Sequence, residues 1–319
     1  MKRPPALVLT AGLGTRLRPL TDVRAKAAVP VNGESLARRI ARWLAARGFV
    51  EQVFNLNHHP ASVTAILGDG TSLGVRIRYS WEHPVLGSAG GPRRALSLLL
   101  DSGSPRFLIV NGDTLTDVDV DALLERHVTS GARVTMALIA NPAPDKYGGV
   151  TIDGDGFVAA FTRRGAVQQS FHFIGVQVAE ASVFADLADG VAHESVGALY
   201  PAMIRADRHA VAAFVSRAAF SDIGTPSDCL DTSLALARTE GDRLVSATAE
   251  IAPAAVVERT ALWDHVQVGR GAQLTDCIVA DGARLPDGIS LTRCAIVPAG
   301  CRPPAADETL QDGLLIRPF

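Results

Sequence analysis

Cysteine is scarce in this sequence. Only Cys229, Cys277, Cys294 and Cys301 occur in 319 residues, and no two of them form a CxxC pair. The zinc signal is therefore weak, and a chain of this size needs no disulfide staples, so reduced thiols in a cytoplasm are expected. Aromatic residues make up 5%, too few for a base-stacking platform on single strands. There is no basic excess: Lys and Arg total 31 against 33 acidic residues, and the net charge of −2 argues against a nucleic-acid partner. No apolar run approaches the roughly 20 residues that cross a bilayer, so no membrane partner is expected. The N-terminal Met-Lys-Arg-Pro-Pro passes straight into a strand pattern without a leader's apolar stretch, which points to a cytoplasmic protein. The eight histidines form no metal constellation, and His58-His59 before Pro60 reads as a loop. No Gly-x-Ser-x-Gly elbow supports a serine hydrolase.

What remains is an ordinary soluble composition, 47% hydrophobic and 20% charged. The length suggests one large domain and a smaller one. Ala6–Leu9 reads as a buried parallel strand. Leu36, Ile40, Trp43 and Leu44 share one face of a helix over Leu36–Arg47, with Ser35 as N-cap and Gly48 as its stop. Arg38, Arg39, Arg42 and Arg47 avoid that face. Strands follow at Val53–Leu56, Arg76–Ser80, Phe107–Val110, Arg133–Ile139 and Gly149–Ile152, with helices at Ala61–Leu67 and Pro92–Leu100. This alternation predicts an α/β fold with a mostly parallel sheet, turning antiparallel over 153–180.

The pattern changes near Gly241. Apolar residues recur every six positions at Val256, Leu262, Val268, Leu274 and Ala280, then resume after a one-residue slip at Leu285, Leu291 and Val297. A hexad period predicts a parallel β-helix with three short strands per coil, and about two to three coils fit. The last segment, Pro303–Phe319, has no period and reads as a tail lying on the surface.

The strongest chemical signal follows the first strand: Leu9-Thr10-Ala11-Gly12-Leu13-Gly14-Thr15-Arg16-Leu17-Arg18-Pro19-Leu20-Thr21. Glycines after a strand let backbone N–H groups approach an anion, and Arg16 adds a guanidinium that forks onto phosphate oxygens. Lys26 supplies a second cation. A dinucleotide fingerprint fails here, because Leu17 stands where its third glycine belongs and no acidic residue ends a second strand in the expected place.

This stretch resembles the signature of the sugar-1-phosphate nucleotidylyltransferases, a Gly-x-Gly-Thr-Arg loop, then Pro-Leu-Thr, then Pro-Lys-Pro. Here the two prolines around the lysine are Ala25 and Ala27, which lessens the loop's rigidity rather than its chemistry. The closest style is that of mannose-1-phosphate guanylyltransferase-like proteins with a C-terminal left-handed β-helix. The resemblance implies a Rossmann-like catalytic domain over 1–240, the β-helix over 241–302 and a tail over 303–319.

Later motifs fall in the family's order. Leu86-Gly87-Ser88-Ala89-Gly90-Gly91 after Glu82 resembles the segment that holds the nucleobase. A carboxylate at Glu82 accepts two hydrogen bonds, which suits guanine's adjacent donors and leans towards GTP over UTP or dTTP. Val110-Asn111-Gly112-Asp113 and Phe220-Ser221-Asp222-Ile223-Gly224-Thr225-Pro226 resemble the motifs whose aspartates bind Mg²⁺, which prefers one or two carboxylates. By the same resemblance Leu9, Ala11, Gly12, Gly14, Thr15, Arg16, Glu82, Gly87, Ser88, Asn111 and Gly112 contact the nucleotide. Arg16, Lys26, Asp113 and Asp222 are the implied catalytic set.

The sugar motifs depart from the family. Phe161-Thr162-Arg163-Arg164-Gly165 stands where the family has Phe-x-Glu-Lys-Pro. Arg164 can replace the lysine on phosphate, whereas Arg163 accepts no hydrogen bond and cannot replace the glutamate. Phe173-Ile174-Gly175 stands where the family has Asn-Ala-Gly, while Tyr147-Gly148 is retained. Tyr147, Gly148, Arg163, Arg164, Phe173 and Gly175 are thus the implied sugar-phosphate set, and the acceptor could be a hexose, heptose, N-acetylated sugar or cyclitol phosphate. The implied partners are an NTP and that phosphate, with a dimer or tetramer built on the β-helix. A regulatory relative with a failed site, and a bifunctional enzyme with an acyltransferase β-helix, are the competing readings. His265 as the only histidine after Gly241 weakens the second of these.

Overall fold

A computed structural model describes residues 3–166, 169–300 and 302–319, so Cys301 lies outside the described residues. The chain divides into two compact units. One comprises Met1–Gly12, Ile40–His58 and Leu67–Phe220; the other comprises Leu13–Arg39, His59–Ile66 and Ser221–Phe319.

The first unit is built on a nine-stranded sheet. Its order runs Val158–Thr162, Gly149–Ile152, Phe171–Glu180, Arg106–Asn111, Ala6–Leu9, Glu51–Leu56 and Arg76–Trp81. Phe171–Glu180 also pairs with Val134–Ala140, which pairs in turn with Val211–Val215. The strands from Arg106–Asn111 to Arg76–Trp81 are parallel. Those around Phe171–Glu180 are mostly antiparallel, as the sequence pattern over 153–180 predicts. Leu7, Ile109, Met136 and Leu138 are fully buried, because both faces of this sheet are covered and the strands carry continuous apolar runs.

Two helices differ from expectation. Ser35 caps Leu36–Ala45 by accepting from the Arg38 N–H at 3.3 Å, and Gly48 follows with φ +79°, both as expected. Arg39, although off the helix's apolar face, is buried. Its guanidinium grips both oxygens of Glu240 at 3.0 and 2.9 Å and donates to the Val31 carbonyl at 3.1 Å. The helix expected at Pro92 begins at Gly87. A Cβ at Gly87, Gly90 or Gly91 would stand 2.6–2.7 Å from Glu194, Val191 or Glu82, so the first turns of this helix lie too close to their neighbours for any side chain.

In the second unit short strands stack in three layers, and each residue pairs with the one 17 positions on: Ile251 with Val268 with Leu285, Val257 with Leu274 with Leu291, and Leu262 with Val279 with Ile296. The parallel coils are thus present, but the one-residue slip recurs in every coil. It falls at the corner held by Arg259, Asp276 and Arg293, which all have φ between 45° and 55°. Val257 therefore faces the core, while Val256 is 46% exposed.

The expected surface tail is instead part of this core. Thr309–Gln311 and Leu314–Pro318 form an antiparallel pair, and the latter strand zips onto Cys294–Pro298. Leu314, Leu315 and Ile316 are 2–5% exposed. Alternation is invisible in so short an apolar run, because burial here comes from a neighbour twenty residues back.

Candidate active site

Each unit carries part of the residue set singled out above. In the first unit, Leu9 ends a parallel strand, and the chain turns through Thr10 and Ala11 under the control of Asn55 on the adjacent strand. The Asn55 side-chain oxygen accepts from the Thr10 and Ala11 N–H groups at 2.5 and 3.3 Å. The Thr10 hydroxyl donates to the Asn55 carbonyl. On the next parallel strand, Asn111-Gly112-Asp113 follows the same exit. Gly112 donates to the Leu9 carbonyl at 2.9 Å, and a Cβ there would meet Leu9 O and Thr10 Cγ2 at 2.6 Å. Only glycine lets the two strand ends lie this close. Asp113 is thereby held, half-buried, at the carboxyl end of the parallel sheet, where ligands bind in such folds.

Glu82 needs correction as a reader of the base. It is 4% exposed, and both its oxygens already accept from the protein: Oε1 from the Asn55 amide at 2.6 Å and Oε2 from the Leu86 N–H at 2.9 Å. Burial pushes its carboxyl above the usual range, and the hydrogen bonds from Leu86 and Asn55 only partly offset that. The free acceptor edge on which the guanine argument stood is not presented. Ser88 is similarly engaged. Its hydroxyl donates to Glu194 at 2.8 Å and accepts from the Ser195 N–H and hydroxyl at 2.8 and 2.9 Å, which uses its whole capacity. Gly87, with φ +74°, packs against Glu194 and His193. The glycine-rich segment is a helix start locked by residues 191–195.

The sugar set divides. Tyr147 stacks on His172 with ring centroids 4.3 Å apart, and both meet Phe220, at 5.7 and 4.9 Å. His172 was not singled out by sequence, and burial depresses its pKa, so it is neutral near pH 7. Gly148 is exposed, and so are Arg163 and Arg164 in the turn after Val158–Thr162. Phe173 is half-buried against the core of the sheet. Gly175 has φ +77°, and a Cβ there would stand 2.8 Å from Asn111. It kinks its strand so that Asn111 fits, a positioning role beside the one the resemblance implies.

In the second unit, Gly14 takes a left-handed conformation (φ +63°) and opens the Thr15–Leu17 turn. The Thr21 hydroxyl donates to the Gly14 carbonyl at 3.0 Å. A Cβ on Gly14 would stand 2.8 Å from Thr21 and 3.0 Å from Lys26, so the loop folds back on the lysine. Thr15 and Arg16 are exposed. Arg16 reaches Gly224, whose missing Cβ would lie 3.1 Å from Arg16 Nη1 and 3.3 Å from Asp222 Oδ2. The loop's guanidinium and the later aspartate therefore converge on the space left by one missing side chain. The rest of that motif starts a helix: Thr225 and Asp228 form a reciprocal capping box with Pro226 at the first position of Pro226–Glu240. Asp113 in the first unit and Asp222 in the second each offer hard oxygen donors of the kind Mg²⁺ takes, and among the described residues no group of three or more His, Cys, Asp or Glu could hold a metal ion. Among the described residues no helix is long and apolar enough to cross a membrane.

Known proteins are similar to this chain in sequence or fold. A mannose-1-phosphate guanylyltransferase of Mycobacterium tuberculosis is 28% identical over 300 residues, covering 90% of this chain and 83% of the relative. An N-acetylmuramate alpha-1-phosphate uridylyltransferase of Neisseria meningitidis is 34% identical over 201 residues, 62% of this chain and 83% of the relative. HddC from Yersinia pseudotuberculosis superposes with a TM-score of 0.64 at 20% identity, over 73% of this chain and 99% of that one, and so shares the fold. The nucleotidyl transferase family model matches residues 5–239, a span that includes Arg16, Lys26, Asp113 and Asp222, and the chain belongs to that family.

Proposed function

We propose that this protein joins a nucleoside triphosphate to a sugar-1-phosphate, releasing pyrophosphate. A phosphate oxygen of the acceptor forms the new bond to the α-phosphorus, and the bond from that phosphorus to the β-phosphate oxygen breaks. The acceptor's own phosphate is the nucleophile, so catalysis is positioning and charge neutralisation. The observation that carries this reading is the convergence of Arg16 and Asp222 on the side of Gly224 that lacks a Cβ, in a chain whose family match spans 5–239.

The roles follow from chemistry. Arg16 and the Gly12–Thr15 backbone hold the triphosphate, and Lys26 neutralises charge near the α-phosphate. Leu9, Ala11, Gly87, Asn111 and Gly112 shape the nucleotide site through backbone. Asp113 and Asp222 hold Mg²⁺, which supplies charge neutralisation to phosphate oxygens when bound. Arg164 takes the acceptor phosphate, with Arg163, Gly148 and the Tyr147–His172 stack beside it. For the base, GTP is supported by the M. tuberculosis relative, since Glu82 is spent on Asn55 and Leu86. UTP is the second reading, favoured by the higher identity of the N. meningitidis relative.

The test is pyrophosphate release with Mg²⁺ over GTP, UTP, dTTP, ATP and CTP against hexose-, heptose-, N-acetylated sugar and cyclitol 1-phosphates. Turnover in one combination is expected. Full turnover by Asp113→Ala or Asp222→Ala would overturn the metal assignment, and silence throughout with NTP binding intact would favour a regulatory relative.

A further inference from the structure

The loop from Gly14 to Lys26 has alanine on both sides of the lysine and no proline beyond Pro19 to stiffen it. Something else must fix it. Ala25 uses an N–H that a proline would lack, donating to the Ser62 hydroxyl at 3.0 Å. Beside it, Arg24 is turned into the coils. Its Nε and Nη2 fork onto both oxygens of Asp281 at 2.5 and 2.6 Å, and Nη2 also reaches Asp264 at 2.6 Å. Its guanidinium carbon stands 5.5 Å from the centre of the Trp263 ring.

Asp264 and Asp281 occupy equivalent corners of successive coils. The Asp264 N–H donates to Asp281 at 3.1 Å, and the Ser246 hydroxyl donates to Asp264 at 2.6 Å, so both carboxylates are aimed before Arg24 arrives. Isolated surface ion pairs are worth little, but forked arginines in oriented networks are the exception. The Arg24 side chain is only 17% exposed. Two further ties come from the terminal segment. Arg302 bridges Asp22 and both oxygens of Glu308 at 2.7 Å, and Arg317, paired with Asp307, donates to the Arg18 carbonyl at 2.7 Å. The far side of the same loop packs Thr21 and Lys26 against Gly14.

We infer that Arg24, Asp264 and Asp281 are positioning residues for the triphosphate, through which the coils hold the Gly14–Lys26 loop in its binding conformation. This makes the β-helix part of the nucleotide site's framework rather than an appendage. The inference rests on the reading that this loop takes the triphosphate. Holding a loop in its bound shape removes an ordering cost from binding, so its loss falls on the substrate the loop contacts.

The experiment titrates GTP and UTP, with Mg²⁺, into the full chain and into Asp264→Asn/Asp281→Asn, Arg24→Lys, Arg24→Ala and Arg16→Ala. Steady-state KM is read for both substrates, and hydrogen exchange is followed at residues 14–26. The paired asparagine variant leaves the loop's sequence untouched. It is expected to raise the Kd of the bound nucleotide about tenfold and speed exchange in the loop, with the acceptor KM within about twofold. Arg24→Lys, which keeps the charge without the fork, should fall between wild type and Arg24→Ala. Unchanged nucleotide affinity in the asparagine variant, with Arg16→Ala impaired, overturns the inference and leaves the loop reading standing. Unimpaired Arg16→Ala overturns the loop reading itself. Equal losses for both substrates, tracking a lowered melting temperature, would show general structural damage and also overturn the inference.

Discussion

The Asn55 side-chain amide donates to Glu82 at 2.6 Å while its oxygen accepts from Thr10 at 2.5 Å. One buried asparagine therefore connects the exit of the first strand to the segment leading into the glycine-rich helix. Its amide is satisfied on both ends, which explains why a carboxylate is tolerated at 4% exposure.

Asn55→Asp should be severely destabilising. It removes the donor to Glu82 and sets a second carboxylate against it, leaving buried charge without a partner. A loss of about 3–5 kcal/mol is expected by urea unfolding. Asn55→Ala should cost about 1–3 kcal/mol, the penalty for stranding buried donors and acceptors.

Gly224→Ala tests the other arrangement. Its Cβ would press on Arg16 and Asp222 at 3.1 and 3.3 Å, distances that a flexible guanidinium can relieve by moving a few tenths of an ångström. The fold should survive with a stability change below about 1 kcal/mol. Turnover should fall about tenfold or more, because small displacements of positioning groups are costly in rate. Wild-type kinetics in a correctly folded variant would separate Gly224 from the site.

Acidification should loosen the first unit. Burial depresses the pKa of His127, despite its bond to Glu180 at 3.2 Å, and of His172. The unfolded chain then binds protons that the folded chain refuses, so stability is present above the ordinary histidine value near 6.5 and is lost as pH falls below it. Melting temperature measured from pH 7.5 to 5 should decline, and a His127→Gln/His172→Phe double variant should flatten that slope. Glu180 keeps Arg106 at 3.1 Å in that variant and is not stranded.

Much of this architecture is legible from local rules. Ser35 announces a helix start by the bond it can make to the Arg38 N–H, and Gly14 announces the turn after the first strand, where the backbone takes φ +63°. What escapes local rules depends on partners far along the chain. Glu82 reads as a ligand because Asn55, 27 residues earlier, is not visible as its donor. The burial of Arg39 does not show in its helix pattern because its partner Glu240 lies 201 residues away. The coil length of 17 is hidden because Ala280 and Val297, one position off the core register, are themselves buried at 0% and 2%.

The terminal hairpin supplies the sharpest stability test. If Leu314–Pro318 merely lay on the surface, Ile316→Ala would change stability by less than about 0.5 kcal/mol. In the fold described here, Ile316 is 5% exposed, faces Ile296 across an antiparallel pair and belongs to the same apolar cluster as Leu274 and Val279. Truncation then removes transfer free energy and leaves a cavity that rigid coil walls cannot collapse into, for a cost of about 2–5 kcal/mol. Cys294–Pro298 is held between Ile278–Val279 and this strand, so the loss should appear as earlier exposure of 294–298 in hydrogen exchange. Because Arg317 is the next residue and holds the Arg18 carbonyl, nucleotide affinity should weaken along with stability. Exposed Leu310, at 58% on the outer strand, is the internal control: Leu310→Ala should leave both quantities unchanged.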